Sequence, residues 1–233
     1  MLPEQARYRG QDQATMLFRP VRTFDGLHRR EMAQTFNSQT VKAVCGRCNN
    51  GFMNRIEAAA RSCLSTMIRG DMELSLSAEA AVALATWAVK TSLMVQLTGS
   101  QPAAIEQVYK GFYATRRPTP ECLVWGAVVD DDRWALRTES RLMLVAPDGQ
   151  SASPDDPPNM LSVTIGLGSL LLYVIIDPVL GNPMWNLTSA FRGALVPLWP
   201  NPNPSTWPPR ALNPAEARFL CEYMPLLLIK GSQ

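Results

Sequence analysis

Histidine is nearly missing from this 233-residue chain: His28 is the only one. A Ser-His-Asp hydrolase would have to use it, and no Gly-x-Ser-x-Gly elbow is there to present a serine, which speaks against that class. His28 sits in Asp25-Gly26-Leu27-His28-Arg29-Arg30 with no acid directly before it, so it reads as a surface residue in a basic turn rather than a general base. Cysteine is scarce and odd in number, five with one close pair, which excludes a disulfide framework. Cys63, Cys122 and Cys221 read as small buried hydrophobes. Long apolar runs are lacking as well. The most apolar stretch, Leu161 to Ile176, is shorter than the roughly 20 residues of a membrane span and is interrupted by Ser162, Thr164, Gly166, Gly168 and Ser169. It is expected to be two buried strands, with no membrane partner. No charged-then-apolar leader stands at Met1, so a cytoplasmic protein is expected. Gly166-x-Gly168 has neither a third glycine nor a following helix, which argues against a dinucleotide site. Consecutive aspartates at Asp130-Asp131-Asp132 point different ways and lack EF-hand spacing, as in a solvated turn.

The chain does contain enough apolar residues, 46%, for a globular protein with a sizeable core, in one domain with an appended module or in two. Its formal charge is only +2, but unevenly spread. Residues 1–70 hold eleven basic against five acidic side chains, a net excess of six that leaves the remainder net negative by four. A basic N-terminal part suits either a phosphate-contacting surface or an ordinary solvated face. Within it lies the stretch around which the chain is organised, Cys45-Gly46-Arg47-Cys48-Asn49-Asn50-Gly51-Phe52-Met53-Asn54-Arg55-Ile56-Glu57. Two thiolates two residues apart can face one metal ion, with Gly46 suiting the tight turn.

Around that knuckle the periodicity is legible. Gln39 to Val44 alternates polar and apolar residues as a short strand entering it. Phe52, Ile56, Ala59/Ala60, Cys63 and Met67 recur at helical spacing, predicting a helix to about Arg69 that stops at Gly70. Met16 to Phe24 reads as a strand interrupted by Pro20, followed by a turn at Asp25-Gly26. Ser77 is expected to cap a second helix with Glu79 in its first turn, with Leu84, Trp87/Ala88, Thr91 and Met94/Val95 on one face, ending at Gly99. Pro102 suits the first turn of a third helix through Tyr113. Leu123 to Val129 and Trp134 to Val145 read as a hairpin, and Leu161 to Asp177 as a second strand pair. Seven prolines between Pro197 and Pro214 predict a strap without strand or helix, carrying Trp199 and Trp207. Within it Pro208-Pro209-Arg210 could also serve a partner groove. Asn213-Pro214 would start a last helix to about Tyr223.

The Cys45–Glu57 motif resembles the terminal motif of HNH-endonuclease-like proteins of bacteria and phages, with Phe52 where a tryptophan is expected. The Trp87 helix and the segments Leu198-Trp199-Pro200 and Trp207-Pro208-Pro209 are similar to that group too. The resemblance implies that Cys45 and Cys48 are the second pair of a structural Zn2+ site. It implies that Asn49 takes the place next to the last cysteine that helps hold a catalytic Mg2+ or Mn2+. It implies a second CxxC and an acidic-His pair upstream, and neither is in this sequence. Met1-Leu2-Pro3-Glu4 is similar to the residues just after the family's catalytic histidine, so the chain is expected to begin directly behind that position.

The expected fold is therefore α+β: an incomplete ββα-metal or treble-clef zinc knuckle over residues 1–75, then residues 76–233 with central helices and a C-terminal antiparallel β portion closed by a Pro/Trp-rich strap. The expected function is that of an HNH-like, metal-dependent DNA endonuclease, truncated or inactive as written. The alternative is a non-catalytic nucleic-acid- or protein-binding module that uses the basic knuckle face, with Lys42, Arg47, Asn50 and Arg55 contacting DNA. Asn49 is read either as a metal-orienting residue or as a helix cap. Two sulfurs are half a tetrahedral zinc site. His28, Cys63 or the CxxC of a second chain in a homodimer would have to supply the rest, or the knuckle is reduced and metal-free. Glu57 is placed on an exposed face with no assigned role.

Overall fold

The computed structural model describes residues 16–18, 30–32, 44–70, 73–97, 105–130, 136–143, 158–177, 187, 191 and 193–223. The elements in order are β1 (Met16–Phe18), β2 (Arg30–Met32), α1 (Gly46–Cys48), a wide π turn (Asn49–Met53), α2 (Asn54–Arg69), β3 (Leu74–Leu76), α3 (Ala78–Gln96) and α4 (Glu106–Thr115). After these come β4 (Cys122–Val128), β5 (Leu136–Met143), β6 (Met160–Leu167), β7 (Leu170–Ile176), β8 (Val196–Trp199) and β9 (Ser205–Trp207). The last is α5 (Pro214–Arg218), which runs into a second π turn (Phe219–Tyr223). The architecture is α+β; among the described residues the named strands pair antiparallel, and one isolated bridge, Val129 to Leu212, is parallel.

Five strands form the central sheet in the order β5-β6-β7-β4-β8. Every residue of β6 and β7 is buried, so the sheet has a cover on both faces and these strands lack the polar alternation of a half-solvated sheet. Their period of two instead sorts side chains between two cores. Leu170, Leu172, Val174 and Ile176 join Ile56, Leu64, Met67, Leu84 and Trp207 on the helical face. Leu171, Tyr173 and Ile175 join Leu187, Phe191, Leu212 and Leu220 on the other. Each such aliphatic side chain stabilises the fold by about 1.5–3 kcal/mol relative to exposure. The helical-face core takes residues from both sides of the boundary drawn at residue 75, and β3 pairs with β9 across it, Leu74 opposite Trp207.

The β6–β7 hairpin turns through Gly168 and Ser169, with Gly168 at φ +58°. This turn receives the C-terminal end of α2: the Ser169 amide donates to the Ile68 carbonyl at 3.2 Å. A Cβ on Gly168 would fall 2.3 Å from that same carbonyl oxygen. Gly70, the residue expected to end the helix, does so at φ +72°. Helix α3 begins as expected, with the Ala80 amide donating to Ser77 Oγ at 3.2 Å and Glu79 in the first turn. α5 carries the full capping box, Asn213 with Glu216, behind Pro214.

Four expectations are corrected. β4 does not pair with β5; it pairs with β7 and β8, while β5 pairs with β6, because the continuous apolar character of β4 suits the sheet interior. The proline segment contains two strands, β8 and β9; Pro197 is accommodated because β8 is an edge strand, where a missing N–H costs no ladder bond. α4 starts at Glu106, not at Pro102, which lies outside the described residues. α3 buries Leu84, Trp87 and Ala88 of the expected face, but Thr91, Met94 and Val95 are only half-buried while Ala81, Ala85, Ser92 and Gln96 are buried too, since the helix is enclosed on nearly all sides. It is the one described helix long and apolar enough to cross a membrane by length and composition, and 56% of that window is buried in the fold. Of the expected strand at Gln39–Val44 only Val44 is described, as a bend; the turn at Asp25-Gly26 and the aspartates Asp131 and Asp132 lie outside the described residues.

Helices α2 and α3 are also joined by an ion pair, Lys90 Nζ to Glu57 Oε1 at 2.6 Å, with the lysine side chain 9% and the glutamate 24% exposed. Glu57, assigned to an exposed face from its spacing, is thus half-buried and paired. Burial works to raise its carboxyl, the hydrogen bond and charge of Lys90 oppose that, and the group is held below the usual glutamate value. A folded-state pKa below the unfolded one means that the pair's stabilisation is present above about pH 4.3 and is lost as pH falls through the folded value.

Gly168→Ala should lower the unfolding free energy by about 2–4 kcal/mol in urea denaturation, because its Cβ must displace backbone at a positive φ; a wild-type midpoint would refute the docking of α2 on this turn. Glu57→Ala, which strands a buried ammonium, should cost about 2–4 kcal/mol, while Glu57→Leu/Lys90→Met should recover most of it. Glu57→Gln should also flatten the loss of stability below about pH 4.3.

Candidate thiol and nucleic-acid site

The CxxC stretch opens the helical segment at the open end of α2. Cys45 is extended (φ −67°, ψ 152°) and serves as N-cap of α1, its sulfur accepting from the Cys48 amide at 3.4 Å. The expected cap, Asn49, does not take that place. Its amide donates to the Cys45 carbonyl at 3.0 Å and its own carbonyl accepts from Asn54, while its side chain is exposed. A thiol caps here because the turn brings Cys45, not Asn49, over the first free amides. Gly51 (φ −93°, ψ −108°) then breaks the helix and opens it into the π turn, a distortion that often marks functional positions.

The two thiols differ. Cys45 is exposed and Cys48 half-buried, and neither is in a disulfide. The Cys48 amide and then the Cys48 thiol, both donating to the Cys45 sulfur, hold the Cys45 thiol below its ordinary value, and Arg47 adds to this. Cys48 is raised, first because its proton is engaged by Cys45 and then by desolvation, with Arg116 and Arg47 opposing. Burial raises Cys63 and pushes Cys122 up to about 11.

Sequence spacing missed the second wall of this site. Arg116 ends α4 in a left-handed conformation (φ 60°), and its Cζ lies 3.8 Å from the ring centre of Phe52 and 3.9 Å from that of Tyr113. The two rings meet edge to face at 5.9 Å. Such cation–π contacts contribute about 0.5–2 kcal/mol each. Arg116 Nη1 is buried without a hydrogen-bond partner, so the rings are what holds the guanidinium beside Cys48. The Arg116-Arg117-Pro118 helix stop is legible in the sequence, but its approach to Phe52 is tertiary.

Of the residues proposed for nucleic acid, Arg47, Asn50 and Arg55 are exposed, whereas Lys42 lies outside the described residues, as does His28. Between residues 44 and 70 four arginines, Arg47, Arg55, Arg61 and Arg69, face a single acid, Glu57, which is tied to Lys90. The donor set for zinc is incomplete: among the described residues no group of three or more His, Cys, Asp or Glu side chains converges, and Cys63 is not brought to Cys45 and Cys48. The same holds for a magnesium or manganese site at Asn49. The residues described therefore do not fit either metal by themselves.

No protein-family model, curated protein or solved structure matches the chain.

The thiol asymmetry predicts that iodoacetamide in the presence of chelator at pH 7.5 labels Cys45 before Cys48, with Cys122 last, as read by peptide mass mapping. Equal rates at Cys45 and Cys48 would contradict the hydrogen-bond arrangement.

Proposed function

We propose that this chain is an HNH-related nucleic-acid-binding protein whose knuckle face contacts the phosphate backbone of DNA and that, as written, it does not cleave it. In this reading the Cys45–Asn54 turn corresponds to the second half of a ββα-metal or treble-clef knuckle. The observation that carries the reading is electrostatic. The helical stretch presents Arg47, Arg55 and Arg61 to solvent, Arg117 is exposed beside the stacked Arg116, and the one acid of residues 44–70 is neutralised by Lys90. Such a field attracts phosphates without reading sequence, and the exposed Asn50 side chain would help position them.

Cleavage is the second reading, and the Cys-x-x-Cys-Asn-Asn-Gly motif favours it through its resemblance to HNH endonucleases. It needs a base and a metal, and the described residues bring no such set together around Asn49. Fluorescence anisotropy with a duplex oligonucleotide separates these readings from one another and from no nucleic-acid role. Binding should weaken linearly in log–log salt titration, and Arg47→Ala/Arg55→Ala should lower the slope by about 1 for each phosphate no longer neutralised. Supercoiled plasmid should stay intact with Mg2+ or Mn2+; nicking abolished by Asn49→Ala would install the endonuclease reading instead. Absence of salt-sensitive binding would remove both.

A further inference from the structure

The Cys45–Cys48 pair has a property that neither metal binding nor DNA contact uses. Cys45 is exposed and Cys48 half-buried behind it, the Cys48 amide donates to the Cys45 sulfur at 3.4 Å, and Arg116 is stacked on the rings of Phe52 and Tyr113 nearby. Tetrahedral zinc needs further ligands that the described residues do not supply, whereas a disulfide needs only these two atoms. We propose that Cys45 and Cys48 form a dithiol–disulfide exchange site whose substrate class is a small-molecule disulfide of the glutathione type, with Cys45 the attacking and Cys48 the resolving thiol.

The geometry suits each step. Cys45 is open to a disulfide approaching from solvent, while Cys48 is less accessible and its backbone amide is turned onto the Cys45 sulfur at 3.4 Å. Residues three apart on a turn lie about 5–6 Å from one another, so closure demands only a small contraction to disulfide distance. The backbone between them has room to contract: a Cβ placed on Gly46 would meet nothing within 4 Å, and the same is true at Gly51 beyond the pair. In the first step the Cys45 sulfur, its proton lost to solvent, bonds to one sulfur of RSSR and expels RS−, which takes up a proton. In the second the Cys48 sulfur bonds to Cys45 Sγ, its proton leaving with the second RSH. The protein loses two hydrogens, and the small disulfide is reduced to two thiols. Cys122 and Cys221 are buried and Cys63 is half-buried with a raised thiol, so all three stay reduced.

This inference does not depend on DNA binding. The test equilibrates the full chain, with chelator present, in mixtures of reduced and oxidised glutathione, then alkylates and maps masses. The wild type is expected to lose about 2 Da in the peptide holding Cys45 and Cys48 without stable glutathione, and to recover it in dithiothreitol. Cys48→Ser, with wild-type circular dichroism, should trap one glutathione on Cys45, and Cys45→Ser should slow glutathione capture about tenfold or more. Three results would overturn the proposal: a wild type that stays a dithiol in fully oxidised glutathione, a wild type that accumulates stable mixed disulfide, or a Cys48→Ser chain that captures glutathione at Cys63.

Discussion

The structure depends on the burial of the β6–β7 hairpin on both faces. Fifteen strand residues without a solvated side leave the protein no stable arrangement except one in which a separate layer covers each face. Helices α2 and α3 cover one, and Leu187, Phe191, Leu195, Leu212, Leu220 and Cys221 cover the other. The hairpin's own turn then sets where α2 ends, because Gly168 and Ser169 meet the Ile68 carbonyl at backbone contact distance. At its other end α2 packs Ile56 into the helical-face core, with Phe52 against it. That end carries the CxxC turn.

The site is thus built at the N-terminal end of a helix whose other end is fixed. Its local chemistry comes from three sources that the fold brings together. The turn aims the Cys48 amide at the Cys45 sulfur, which separates the two thiols in acidity. α4 delivers Arg116 onto Phe52 and Tyr113, next to Cys48. Lys90, on α3, neutralises the one acid that would oppose a polyanion along α2. The last of these is a structural ion pair with an electrostatic consequence for the neighbouring surface: without it, a carboxylate would stand among the arginines.

The proposed binding of a phosphate backbone and the proposed exchange with a small disulfide would make different demands on this surface. The first uses the exposed arginines and is governed by salt; the second uses two sulfur atoms and is governed by redox poise. They meet at Arg47, which lies between the two cysteines in sequence and close to both in charge. Closing the disulfide would shorten the turn that presents Arg47, so the two proposed roles would share one mechanical element.

Much of the fold was legible from local rules. Gly70 ends α2, Ser77 caps α3, Asn213-Pro214 opens α5, and Leu161–Ile176 is a buried strand pair, because caps, turns and apolar runs depend on residues close in sequence. The CxxC turn ahead of α2 was visible for the same reason. Strand order was not: β4 sits between β7 and β8 through contacts with chain far ahead of it, and adjacency in sequence pointed to the wrong partner. The role of Glu57 was hidden because Lys90 lies a helix away, and that of Arg116 because its rings come from two separate elements, Phe52 and Tyr113. Spacing along the chain specifies which face a residue takes on its own helix or strand; only packing, where the apolar faces of distant segments must be covered at once, decides what that face meets.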